Sequence, residues 1–242
     1  MAIENKKVQE LHGREHKFFY RDLNLDLDDI TKILETEYER IQKGEMRGVT
    51  PVNVDVPRQE IFLESNSVST IKSREYNAFQ MYYPFLHDLY SEVVDMTIEA
   101  CEYYGIDYNE QKYVCQAWFN INNTSKGGKL DWHDHVPMGM LSSTAFHGYY
   151  SVSAEPSKTH YLIDGVEKIN NNKNNRAILS RVGYPHAMAD WNWEGQRITI
   201  AYDVAPLKYS LQKDFLKFKQ PEYASFWEQH YFPLPQLKSL TK

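Results

Sequence analysis

Gln196-Arg197-Ile198-Thr199-Ile200-Ala201-Tyr202-Asp203-Val204 alternates with a period of two, the period at which successive side chains of a β-strand leave on opposite faces. Ile198, Ile200, Tyr202 and Val204 form an apolar face that suits a core. Arg197, Thr199 and Ala201 form the other, setting a guanidinium and a hydroxyl side by side in whatever space the sheet encloses. A buried arginine is costly unless a charge meets it. Either a protein carboxylate or a ligand's carboxylate must therefore face Arg197, and a structural salt bridge is the commoner of the two.

Outward from this strand, strand-like runs occupy 146–153, 158–163 and 176–182, with the asparagine-rich 170–175 stretch as a surface loop. Further upstream Tyr113, Cys115, Ala117, Phe119 and Ile121 alternate with Val114, Gln116, Trp118 and Asn120, and Lys126-Gly127-Gly128-Lys129 reads as a turn. Short strands joined by turns, with no helical period between them, predict a sandwich or jelly roll.

The first half reads differently. Leu27, Ile30, Leu34, Tyr38 and Ile41 recur at helical spacing behind Asp26, a good N-cap, and Gly44 ends the run. Leu86, Leu89, Val93, Met96, Ala100 and Tyr104 do the same between Pro84 and Gly105. Phe18-Phe19-Tyr20 suits an edge strand. Val52, Val54 and Val56, and Glu60-Ile61-Phe62-Leu63, suggest short strands in an otherwise irregular stretch. The expected architecture is α+β in one domain: a helical flank over about 1–110, a β core over about 111–206, and an aromatic-rich tail over 207–242 packing back onto it.

With 242 residues and 42% apolar side chains the chain can bury a core. A net charge of −6 disfavours nucleic acid as a general partner. The sequence shows neither a signal peptide nor an apolar run of membrane-spanning length. Cys101 and Cys115, two thiols in apolar company, predict buried reduced cysteines and a cytosolic protein.

The chemistry lies in the histidines. His133 and His135 flank Asp134, and on a strand they share a face, as two ligands of one metal must. His186 follows Gly183-Tyr184-Pro185, a turn that can hold an imidazole rigidly. His12, His16, His87 and His230 read as surface or packing residues. His147 and His160, near the pair in sequence, stay outside the ligand set, because strand parity puts His147 opposite Gly148 and Tyr150.

This layout resembles the 2-oxoglutarate- and Fe(II)-dependent oxygenases, whose core is a double-stranded β-helix. Their pattern is His-x-Asp/Glu, a distal His, then Arg-x-Ser/Thr, met here by His133-Asp134-His135, His186 and Arg197-Ile198-Thr199. Trp118-Phe119-Asn120 and Gly148-Tyr149-Tyr150 narrow the resemblance to oxygenases of marine bacteria and tailed phages, for which the compartment would be the host cytoplasm. The resemblance covers about 115–205. It implies Fe(II) on His133, His135 and His186, with Asp134 as the alternative third ligand should a bulge turn the strand. It also implies 2-oxoglutarate bound through Arg197 and Thr199, with Tyr150 or Tyr161 adding a phenol donor and Asn120 lining the pocket. O2 would be the co-substrate, and the reaction would be hydroxylation of a substrate such as a peptide or protein side chain, proline included.

The departure from the family is the third ligand, a histidine where a carboxylate is usual. A second departure is the longer 136–146 segment, which suggests a lid. Two rival readings follow: a three-histidine cupin-type dioxygenase without 2-oxoglutarate, and a non-catalytic jelly-roll module.

Overall fold

The structure is a computed structural model that describes residues 14–45, 68–70, 76–123, 130–135, 145–188, 195–207 and 232–237. The strands expected at 52–56 and 60–63, the 126–129 turn, the 136–146 lid apart from its last two residues, and most of the C-terminal tail lie outside them.

A short strand β1 (Phe19–Asp22) leads into helix α1 (Leu27–Gln42). Asp26 caps α1, its side chain accepting from the backbone N–H groups of Asp28 and Asp29. Gly44, just past the last turn, takes φ 68, which a residue with a Cβ adopts only at a cost. Helix α2 (Pro84–Tyr104) begins on the proline, whose missing N–H costs nothing at that position, and stops at Gly105 in the left-handed region. Its buried stripe includes Leu86, Leu89, Val93, Met96, Ala100 and Tyr104. A one-turn helix α3 (Tyr108–Gln111) follows, which the sequence did not announce.

The β elements are β2 (Val68–Ser69), β3 (Tyr113–Asn123), β4 (Leu130–His133), β5 (Phe146–Ser153), β6 (Lys158–Ile163), β7 (Val166–Asn171), β8 (Arg176–Arg181), β9 (His186–Met188), β10 (Gln196–Pro206) and β11 (Phe232–Pro233). The larger sheet runs β1-β8-β5-β10-β3-β11, with β2 also on β3, and the smaller runs β4-β9-β6-β7. From β3 to β10 the chain passes back and forth between the two sheets. That is the jelly-roll winding of a double-stranded β-helix, as expected. Strand β7 occupies part of what was read as loop: only residues 172–175 turn.

The larger sheet has two unlike faces. Cys115, Ala117, Phe119, Ile121, Phe146, Tyr150, Val152, Ile198, Ile200, Tyr202 and Val204 join the side chains of α1 and α2 in one core. The opposite face carries Trp118, Tyr149 and Ala201, packed with Ile178. Gly148 makes this packing possible. A Cβ there would come within 2.0 Å of the Ile178 carbonyl oxygen and 2.4 Å of the Tyr202 ring, which crosses at that point so that its hydroxyl can donate to Ile178 O at 2.8 Å. Each large side chain buried this way contributes about 1.5–3 kcal/mol, so the aromatic content read from the sequence is what fastens the helices to the sheet. No helix among the described residues is long and apolar enough to cross a membrane.

Candidate metal centre

Strand β4 ends on His133, which pairs with His186 at the start of β9. That register brings two imidazoles from opposite ends of the sequence motif to a ring separation of 4.3 Å. His135 lies two residues beyond the strand, not on it, yet its ring comes within 5.5 Å of His133 and 5.2 Å of His186. One ring nitrogen of each lies within 4.8 Å of the others, close enough to share an ion. Asp134 belongs to no such cluster among the described residues. Of the two third ligands considered, His135 is the one the fold brings into the group.

The protonation pattern suits a metal. His186 is buried, and burial, with the neighbouring imidazoles, pushes its pKa well below the ordinary value, so it is neutral at pH 7. Nδ1 of His135 is hydrogen-bonded to Asp203 Oδ2 at 3.0 Å, while Nε2 of the same ring is buried with no hydrogen-bond partner. A buried polar atom left unpaired costs about 1–3 kcal/mol, which is the signature expected of a donor that an ion would engage. Imidazole ligands suit Fe, Zn, Cu or Ni alike.

His147, excluded by the parity argument, is part of this region. Its Nδ1 lies 2.7 Å from Asp203 Oδ1, and its ring stacks on His135 at 3.7 Å and 15°. His135, His147 and Asp203 form a second cluster of potential ligands that shares His135 with the first. Burial lowers the His147 pKa to about 4. Burial would raise the Asp203 carboxyl, but the paired histidines outweigh it and keep the carboxylate ionised. Trp118 lies nearly parallel to both rings, at 5.9 Å from His135 and 6.3 Å from His147. A small cavity of about 10 Å³ lies beside these rings, lined by His135, His147, Tyr161, Arg181, Tyr184 and His186 but not by His133.

The sequence signal for Asp203 was the alternation of β10 itself, continued past Ala201. The signal for His147 was missing because β5 is buried on both faces up to Ser153, so no polar face marks the other as interior.

Arg197 is 7% exposed, on the same face of β10 as Thr199 and Asp203. Its Nε donates to Ser157 Oγ at 3.1 Å, and no carboxylate meets it among the described residues. The structural salt bridge, the commoner fate of a buried arginine, is absent among the described residues. Burial, opposed by Tyr149 and Tyr161, lowers its pKa to about 10. Ser157 is already committed, accepting from Asn172 Nδ2 at 2.7 Å and donating to the Ala154 carbonyl. Tyr149 and Tyr161 stand near enough to act electrostatically on the guanidinium. Tyr161 pairs with His186 across the smaller sheet, ring to ring at 5.5 Å, and so connects the arginine to the histidines. Thr199 accepts from Asn120 Nδ2 at 3.4 Å.

Tyr150 does not reach this space. Its ring sits in the helix-facing core and its hydroxyl donates to Asn175 Oδ1 at 2.5 Å, holding the strand to the link before α1. The one-residue parity that turns Tyr150 away turns Tyr149 inward, where its hydroxyl is bonded to Asn172, Thr159 and Asn170. His16, read as a packing residue, is one: it stands edge-on to Phe18 and Tyr184. His160 turns outward to Glu167, and His87 is exposed.

No protein-family model matches the chain, and no curated protein does. Solved structures match its fold. The non-heme alpha-ketoglutarate-dependent carbocyclase SnoK of nogalamycin biosynthesis aligns with a TM-score of 0.52 at 10% identity, covering 96% of this chain and 92% of that one. EctD from S. alaskensis aligns at 0.54 and 12%, covering 86% and 79%. AtDAO1, the dioxygenase for auxin oxidation 1 from Arabidopsis thaliana, solved with 2-oxoglutarate, aligns at 0.50 and 13%, covering 86% and 90%. At these identities the likeness is one of fold, and the fold of this chain is the double-stranded β-helix.

Proposed function

We propose that the protein is an Fe(II)- and 2-oxoglutarate-dependent dioxygenase, an oxidoreductase with His133, His135 and His186 as its metal ligands. The observation that carries the second half of that reading is Arg197, a buried cation with no carboxylate among the described residues. A cation kept in such a place is explained by an anion that comes and goes. The distal carboxylate of 2-oxoglutarate fits, with the Thr199 hydroxyl as a second donor. Tyr149 and Tyr161 wall the same space, and Asn120 holds Thr199 in position. The paired motifs Trp118-Phe119-Asn120 and Gly148-Tyr149-Tyr150 support the narrower likeness to marine bacterial and phage oxygenases.

Iron with 2-oxoglutarate would supply the oxidising power, drawn from O2 and released with decarboxylation of the keto acid. The chain's own contribution is placement. The histidines fix the ion, Arg197 anchors the acid, and Trp118 and the tyrosines exclude water. Hydroxylation of a peptide or protein side chain, proline included, is the substrate class we carry over from the resemblance. A three-histidine centre that uses no 2-oxoglutarate would leave Arg197 without its anion.

The test is an anaerobic titration of 2-oxoglutarate into Fe(II)-loaded protein, read by the visible metal-to-ligand charge-transfer band. We expect a band in wild type and in Asp134→Ala, and none in His135→Ala. Tight iron binding without any 2-oxoglutarate-dependent band would refute the cofactor assignment.

A further inference from the structure

A ligand set of three imidazoles brings no negative charge to a divalent ion, whereas two histidines and a carboxylate bring one. The buried carboxylate nearest these ligands is Asp203, and it touches one of them directly. Its Oδ2 lies 3.0 Å from Nδ1 of His135 and its Oδ1 lies 2.7 Å from Nδ1 of His147. Both lengths are those of N–H···O hydrogen bonds, and the shorter one falls in the charge-assisted range. Such a bond requires each ring to carry its proton on Nδ1, because an ionised carboxylate only accepts. In the neutral ring this leaves His135 Nε2 bare to face an ion, and Nε2 is a buried atom without a partner. The backbone explains why the carboxylate stays put. Asp203 sits in the middle of the larger sheet, paired with Gln116 on one side and with His147 on the other. His135 has no strand to hold it and depends on a side-chain bond for its orientation.

We propose that Asp203 is a positioning residue of the metal centre: it fixes His135 with Nε2 toward the ion and supplies, one bond removed, the negative charge that the ligands lack. His147 is its counterweight, holding the second oxygen so that the carboxylate faces His135 and does not itself bind the ion. Carboxylates behind metal-bound histidines raise ligand basicity and fix the tautomer, and their loss costs about 10–100-fold in metal affinity. The proposal rests on the reading of His133, His135 and His186 as the ligands.

The experiment measures Fe(II) and Co(II) dissociation constants, anaerobically, for the full chain and for Asp203→Asn, His147→Phe and His135→Ala, with apo-protein circular dichroism as the check on folding. Asp203→Asn is expected to weaken binding about 10–100-fold while keeping the Co(II) visible bands of the same nitrogen donors. His135→Ala should abolish binding at those concentrations, and His147→Phe, which releases the second carboxylate oxygen, should weaken it less than Asp203→Asn does. Histidine-selective 15N spectra of the Zn(II)-loaded wild type supply a readout that needs no variant: His135 and His147 should both show protonated Nδ1. A wild type that binds iron, beside an Asp203→Asn that binds it equally well, overturns the role of Asp203 alone. Loss of binding in Asp203→Asn and His147→Phe as complete as in His135→Ala would place the ion in the His135–His147–Asp203 cluster and overturn the proposal. A wild type that takes up no ion overturns the ligand reading, and this inference with it.

Discussion

Exchange of Arg197 for methionine separates an anion anchor from a structural arginine, because the two roles give opposite signs. Burial moves the guanidinium from 12.5 to about 10, and at about 1.4 kcal/mol per unit the ligand-free fold gives up about 3 kcal/mol to hold that charge. The cost applies at every pH below the lowered value, so a measurement at neutral pH captures all of it. Methionine removes it together with the Ser157 hydrogen bond, itself worth about 1 kcal/mol. The net expectation for Arg197→Met is a gain of about 2 kcal/mol without ligand, or roughly 4–8 °C in Tm for a domain of this size. With Fe(II) and 2-oxoglutarate at a hundred times its Kd the wild type should gain about 2.7 kcal/mol by mass action. The variant should lose most of that, its 2-oxoglutarate Kd rising on the order of 10–100-fold for one charge-assisted contact. Anaerobic thermal melts with and without 2-oxoglutarate read both numbers. A variant that melts lower than wild type in the absence of ligand, and is stabilised by 2-oxoglutarate as much as wild type, would show that the arginine is structural and that this reasoning is wrong.

Tyr149→Phe and Tyr150→Phe form a matched pair one residue apart: the first should weaken 2-oxoglutarate binding, and the second should leave it unchanged while lowering Tm through the lost bond to Asn175. Equal effects of the two on the ligand Kd would contradict the strand parity. Gly148→Ala should destabilise by at least 1–3 kcal/mol, since its methyl would meet the Ile178 carbonyl and the Tyr202 ring; an unchanged Tm would refute that packing. His16 has both ring nitrogens buried without partners, and its pKa lies at about 3 because burial, then Arg181 and Lys168, oppose the charged form. The unfolded chain therefore takes up a proton near 6.5 that the folded chain refuses, and stability falls as pH drops from there to about 3, by on the order of 5 kcal/mol in full. His16→Phe should flatten that slope in melts run across the window, and an unchanged slope would assign the acid sensitivity elsewhere.

Helices α1 and α2 were legible almost to the residue because their starts, Asp26 at the cap and Pro84 in the first turn, and their stops, Gly44 and Gly105, are local signals. The faces of β3 and β10 were legible because each alternates apolar with polar. Strand β5 was not, since buried residues on both sides erase the period and leave His147 and Tyr149 indistinguishable from Gly148 and Tyr150. Strand β7 was lost for the opposite reason: its outer-edge position leaves it mostly exposed, with asparagines that read as a turn. The His133–His135 pair was anticipated as one strand face, yet the strand stops between them. The rings meet because Asp203, from another strand, draws His135 in, and a contact of that sequence separation leaves no mark on a local pattern. That no carboxylate among the described residues meets Arg197 was likewise invisible, because only the tertiary fold shows which of them stay away.

The two faces of the larger sheet also divide the protein's own vulnerability to oxidation. Cys101, Cys115 and Met96 sit in the helix-side core, whereas Met188 lies on β9, two residues from His186; burial raises both thiols, Cys101 to about 12, so neither offers a thiolate. Trp118, Tyr149 and Tyr161 stand on the histidine side. If the centre misfires when no substrate is present, damage should appear first as Met188 sulfoxide and as hydroxylated indole and phenol on those rings, with the sulfur atoms of Cys101, Cys115 and Met96 behind the sheet still reduced. Peptide mapping of protein aged with iron and air would then trace the wall of the reactive space.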